Sequence, residues 1–121
     1  MQIKETRNDL HNRLVLFTVA IVKIARDHER DRTLAPIFNQ IIRSAGSIGA
    51  NITEANGSVS KAGYARYFHI ALQSANETQY WLDVLEKCEI FELSVVTQLR
   101  EELIQFIKIL RASLRTMHTR S

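Results

Sequence analysis

The chain has a single cysteine, a single proline, only four glycines among 121 residues, and no long hydrophobic run. Each scarcity excludes something. Cys88 has no internal partner for a disulfide, which fits a reducing compartment. Proline and glycine are too sparse to punctuate many short strands, so the chain reads as helices joined by short turns. The longest apolar stretch, Leu14 to Ala25, is interrupted by Thr18 and Lys23. It falls well short of the ~18–20 residues that span a bilayer. The opening Met1-Gln2-Ile3-Lys4-Glu5 lacks the basic-then-apolar order of a signal peptide, so a cytoplasmic location and no membrane partner are expected. At this length one domain, spanning 1–121, is expected, large enough to bury a core without a metal or disulfide.

What is present is helical periodicity. Leu10, Leu14, Phe17, Ile21 and Ile24 recur at alternating spacings of four and three, the seam of a helix facing partners. That helix should end near the polar run Arg26-Asp27-His28-Glu29-Arg30-Asp31-Arg32. Thr33 then looks like the cap of a second helix, with Pro36 tolerated in its first turn. This helix buries Ile37/Phe38, Ile41/Ile42, Ala45, Ile48 and Ile52, and stops at Asn56-Gly57. Ser58 or Ser60 can cap a third helix with the seam Tyr64, Phe68, Ala71, Ala75, Thr78, Leu82 and Leu85. Ser94 should cap a fourth, carrying Val96, Leu99, Leu103, Phe106, Leu110, Leu114 and Met117. Short connections make consecutive helices antiparallel, so the fold class is all-α, an up-down-up-down four-helix bundle.

Two features exceed a generic bundle. Val15, Val19 and Val22, joined by Leu16 and Ala20, form a second apolar stripe on helix 1. A bundle buries one face per helix, so the surplus predicts self-association; the alternative is a wide core stripe with a few exposed valines. On helix 2, Ser44-Ala45-Gly46-Ser47 and Gly49-Ala50 are all small. Each mid-helix glycine costs about 1 kcal/mol relative to alanine. Close approach to Ala71, Ser74 and Ala75 of helix 3 would offset that cost, and an opening for a ligand is the competing reading.

Ser44, Ser47, Asn51 and Glu54 form a polar strip flanked by Arg43, and Ser74 and Glu77 face the same way on helix 3. A structural network is expected, with Glu77 meeting Arg43 or Asn51, and Glu54 reaching a partner across an interface; a ligand pocket is the alternative. Catalytic signals are thin. The histidines are scattered, and no phosphate-binding glycine loop, paired-cysteine spacing or His-Glu-x-x-His motif is present. No enzyme activity, metal, cofactor or small-molecule substrate is therefore expected. Cys88, flanked by Glu86 and Glu89, reads as a buried inert thiol, and His69 as a partly buried helix residue.

Net charge is only +3, but the cations are ordered. Lys108, Arg111 and Arg115 recur at i, i+3, i+7, with Arg120 beyond, and Lys61 and Arg66 lie near Tyr64 and Tyr67. Cations interleaved with aromatics can hold unpaired RNA by phosphate contact and stacking. Cations in a last helical turn also simply favour the helix dipole and solubility.

The segment from Ile42 through Arg43-Ser44-Ala45-Gly46-Ser47-Ile48-Gly49-Ala50-Asn51-Ile52-Thr53-Glu54 to Ala55, followed by Tyr67 to Thr78, resembles the four-helix-bundle proteins encoded in intervening sequences of bacterial 23S rRNA genes. The shared pattern is an Arg-x-Ala-x-Ser-Ile-x-x-Asn-Ile-x-Glu helix, a serine-rich turn, and an aromatic-rich Ile-Ala helix. Gly49 stands where many members have proline, Ala55 replaces a frequent glycine, and the turn Ser58-Val59-Ser60-Lys61 is less basic than usual. The resemblance implies a cytoplasmic bacterial bundle, often a homopentamer. A relative, the accessory variability protein of diversity-generating retroelements, partners a reverse transcriptase and nucleic acid. The expected function is thus a non-catalytic oligomer binding RNA, or a nucleic-acid enzyme, through a basic surface completed on assembly. A protein–protein adaptor is the alternative.

Overall fold

The computed structural model describes residues 2–120, with side chains for 9–118. It contains four helices: α1 (Gln2–Asp27), α2 (Ala35–Asn56), α3 (Lys61–Lys87) and α4 (Leu93–Arg120). Consecutive helices pack side by side, most extensively α2 against α3. Contacts between α1 and α4 close the four-helix bundle. Phe17 meets Phe106 edge to face at 5.3 Å, and Arg13 donates to both carboxylate oxygens of Glu102 at 3.0 and 2.7 Å. The Glu102 bond holds the Arg13 guanidinium above its ordinary pKa, so the clasp keeps its charge. Arg13 also lies over the Phe106 ring, where a cation is favoured by the ring's negative face.

Each helix starts and stops for a local reason, and two starts differ from the sequence expectation. Thr33 does not cap α2. Asp31 Oδ1 accepts from the amides of Thr33 and Leu34 at 3.0 and 3.2 Å, and Leu34 occupies the cap position without a side-chain bond. A Thr33 hydroxyl would have served the amides two and three residues on, but the Ala35 amide already donates to the Asp31 carbonyl at 3.1 Å and Pro36 has no N–H. Likewise α4 begins at Leu93, one residue before Ser94, because the Glu92 carbonyl already accepts from Val95 and Val96. Ser60 does cap α3, its hydroxyl accepting from the Gly63 amide at 3.0 Å. Between α3 and α4, Glu89 takes a left-handed backbone conformation with φ of 56°. This turns the chain sharply and leaves Cys88 exposed rather than buried.

The core follows the predicted seams. Leu14, Phe17 and Ile21 meet Phe38, Ile41, Ile48, Phe68, Leu82, Leu103, Phe106 and Leu110, all nearly inaccessible to solvent. Ile107 is also buried beside Phe106, broadening the α4 seam. At the other end of the bundle the His28 ring stacks on Phe38 and sits between the carbonyl oxygens of Ile24 and Ile90, 2.9 and 3.3 Å from its two nitrogens. This pins the end of α1 to the α3–α4 turn.

Between α2 and α3 the small residues bring hydroxyls together. Ser74 Oγ donates to Ser47 Oγ at 2.8 Å, while Thr78 Oγ1 lies 2.9 Å from Ser44 Oγ and 2.8 Å from the Ser74 carbonyl. No buried side-chain polar atom among the described residues lacks a partner. Such bonds contribute about 1 kcal/mol each and fix one register between the helices. The glycines play no part in this contact. A Cβ at Gly49 would lie 3.4 Å from Leu14 on α1, and one at Gly46 would meet nothing within 4 Å. Close approach to α3 is supplied by Ala45, Ala71 and Ala75, which are completely buried, and the glycines face α1 and open space instead.

Candidate functional site

The polar strip of α2 divides. Arg43 donates to Glu77 across the helix pair, and Glu77 also accepts from Trp81 Nε1 at 3.0 Å. Asn51 does not join them. Its Nδ2 donates to the Ser47 carbonyl and hydroxyl at 2.8 and 2.9 Å. Glu54 stands exposed, without a partner among the described residues. The four residues therefore form no shared pocket.

Charge is segregated along the bundle. No Asp or Glu occurs between Glu54 and Glu77, and none follows Glu102. Antiparallel packing places the acid-free start of α3 beside the acid-free end of α4. Lys61, Ala62, Ala65 and His69 from α3 line one cleft with Leu114, Met117 and His118 from α4, about 330 Å³ in volume. Lys61 thus faces the helix that carries Lys108, Arg111 and Arg115. Arg66 lies one turn beyond Ala62, on the outer flank of the same stretch of α3. All five cations are exposed, and none forms an ion pair among the described residues. Arg13, Arg43 and Arg100 behave differently, each held by a carboxylate. Arg100 bridges Asp83 at 2.5 Å and Glu86, at the acidic end of the same α3–α4 face. The side chain of Arg120 lies outside the described residues.

Tyr64 and Tyr67 are both half-buried, and Tyr64 borders a surface cleft with Ala112, Thr116 and Met117 of α4. Tyr64 stacks on Phe68 with ring centres 4.8 Å apart, and Tyr67 packs half-buried against the core. The flat rings beside Lys61 belong instead to His69 and His118. His69 is exposed, contrary to the sequence expectation, because it follows Phe68 by one residue and so points away from the core. A row at Ala65, His69 and Leu72, spaced four and three, was the sequence signal for this second face of α3.

The opposite edge is apolar. Val15, Leu16, Val19 and Val22 are 46%, 66%, 38% and 41% exposed on the single chain. Val15 and Val19 border a groove of about 280 Å³ whose far wall is Gly46, Gly49, Ala50 and Thr53 of α2. Neither cleft pairs acid with base, since the one holding His69 contains neither Glu54 nor Glu77. Among the described residues no group of three His, Cys, Asp or Glu could hold a metal ion, and no helix is long and apolar enough to cross a membrane.

A family model described as "23S rRNA-intervening sequence protein" matches residues 7–112. The chain belongs to that family. Among solved structures it is similar to a protein of unknown function from the S23 ribosomal protein family of Bacteroides thetaiotaomicron. The two are 30% identical, with a TM-score of 0.82, over 90% of this chain and 97% of the other. No curated protein matches the chain. Membership of the intervening-sequence family covers both edges of the bundle: the matched span includes the exposed valines, Lys61, Arg66, Lys108 and Arg111, and stops just before Arg115.

Proposed function

We propose that this chain is a non-catalytic, cytoplasmic RNA-binding module that works as a homo-oligomer. The observation that carries the reading is the acid-free α3–α4 edge, where Lys61, Arg66, Lys108, Arg111 and Arg115 are exposed and form no ion pair among the described residues. A protein surface normally interleaves its charges, as the opposite end of this bundle does. Cations left without counter-charges attract a polyanion and release its condensed counterions on binding. The family name adds the link to rRNA. A nucleic-acid enzyme of reverse-transcriptase type, itself holding RNA, is a compatible partner.

Assembly would be through Val15, Val19 and Val22, with the groove beside Gly46 receiving side chains of a second copy, and a homopentamer agrees with the family resemblance. Assembly multiplies the basic edge while shrinking the surface over which charge is spread. Arg43 and Glu77 would then serve to fix the α2–α3 register, with Asn51 steadying the Ser47 hydroxyl that Ser74 reaches and Glu54 left to meet a neighbouring copy. The adaptor reading draws on the same apolar groove, with a different protein seated in it. Titration of a labelled structured RNA with the purified protein separates the two, provided solution mass is followed in the same buffers. Binding that weakens steeply with salt supports the RNA module. An intact oligomer that binds no RNA at low salt contradicts it and favours the adaptor.

A further inference from the structure

The cleft between the start of α3 and the end of α4 combines two chemistries that few ligands satisfy together. Its apolar lining is made by Ala62, Ala65, Leu114 and Met117. Its polar lining consists of Lys61 and two imidazoles, His69 and His118, and neither helix carries a carboxylate along this stretch. At about 330 Å³ it lies at the small end of ligand sites, which run roughly 300–1,000 Å³. An occupant must therefore be flat or apolar where it is held and anionic where it emerges. We propose that this cleft receives one unpaired nucleobase, stacked against His69 and His118, while Lys61 and Arg115 hold the adjoining phosphates.

The proposal rests on the RNA-binding reading and sharpens it by naming the form of RNA. Bases within a duplex are stacked and paired, and an A-form helix offers a protein mainly phosphates and 2′-hydroxyls. Only a loop, bulge or single strand can turn a base outward into a recess between helices. The basic stripe of α4 would still attract a duplex, but without filling the cleft.

The test compares the full chain's affinity for a single-stranded RNA with its affinity for a blunt duplex of equal phosphate number. A single 2-aminopurine in the strand reports base burial by fluorescence. The single strand should bind about tenfold more tightly, within the range that base stacking supplies, and 2-aminopurine emission should change on binding. Ala62→Leu, which fills the cleft from an exposed helix position, and His69→Ala should each remove most of that preference. Both should leave duplex affinity within about twofold. Equal affinity for the two RNAs, or a preference untouched by both variants, would overturn the base-binding cleft while leaving the basic edge standing. Failure to bind either RNA would overturn both readings.

Discussion

The α1–α2 edge and the α3–α4 edge lie on opposite faces of one bundle and carry clefts of similar size, about 280 and 330 Å³. Their rims differ in kind. Valines and glycines dominate the first, with His11 and Thr18 beside them, whereas Lys61 and two histidines border the second and Arg115 lies one residue beyond its Leu114. Shape alone would treat them alike. On the proposed function, the apolar rim would be removed from water by another protein surface, and the cationic rim would meet a polyanion that supplies missing counter-charge. The comparison separates how the protein assembles from what it holds.

The largest effect should come from the shared core. Phe106→Ala removes a fully buried ring that touches Phe17 and underlies Arg13, and should cost about 3–5 kcal/mol in urea unfolding. Both edges should be lost in one transition; separate melting of the α1–α2 pair would break the picture of one core serving two surfaces. Next, Val15→Asp with Val19→Asp should abolish assembly and leave helicity intact, since burying unpaired carboxylates costs several kcal/mol. Sedimentation should then give the mass of one chain, 13.9 kDa, and an unchanged oligomer would move the interface elsewhere.

Gly46→Ala sharpens the contrast further. A Cβ there meets nothing within the chain, so the isolated subunit should gain up to about 1 kcal/mol from helix propensity. Weaker assembly alongside a higher melting temperature for the dissociated subunit would mark the groove as filled by a neighbour. Stronger assembly would show it empty. The smallest change should be Glu77→Ala, which removes a partly exposed acceptor of Arg43 and Trp81 and should cost about 0.5–1 kcal/mol. No change in thermal stability would make that ion pair ornamental.

Periodicity made the helices and core legible, because a spacing of three and four is both what a helix buries and what a sequence displays. The hydroxyl contacts of Ser44 and Ser47 with α3 lie along the same seam logic. Turn chemistry was harder to read. Thr33 and Ser94 are good caps by type, yet Asp31 and the Glu92 carbonyl reached the free amides first, and only the turn's path decides that. Small size says nothing of direction, and Gly46 and Gly49 face open space and α1 rather than α3. The cationic stripe of α4 was visible, but its juxtaposition with Lys61, and the shared cleft of His69 and His118, depend on two helices far apart in sequence.

The most direct test of the division of labour is the salt dependence of RNA affinity for the native protein and for a Lys108→Gln/Arg111→Gln/Arg115→Gln variant, each with its mass measured. For single-stranded RNA, three lost phosphate contacts should flatten the slope of log affinity against log salt by about 2. That flattening is expected with the oligomer unchanged. An unaltered slope, or a variant that falls apart, would contradict it.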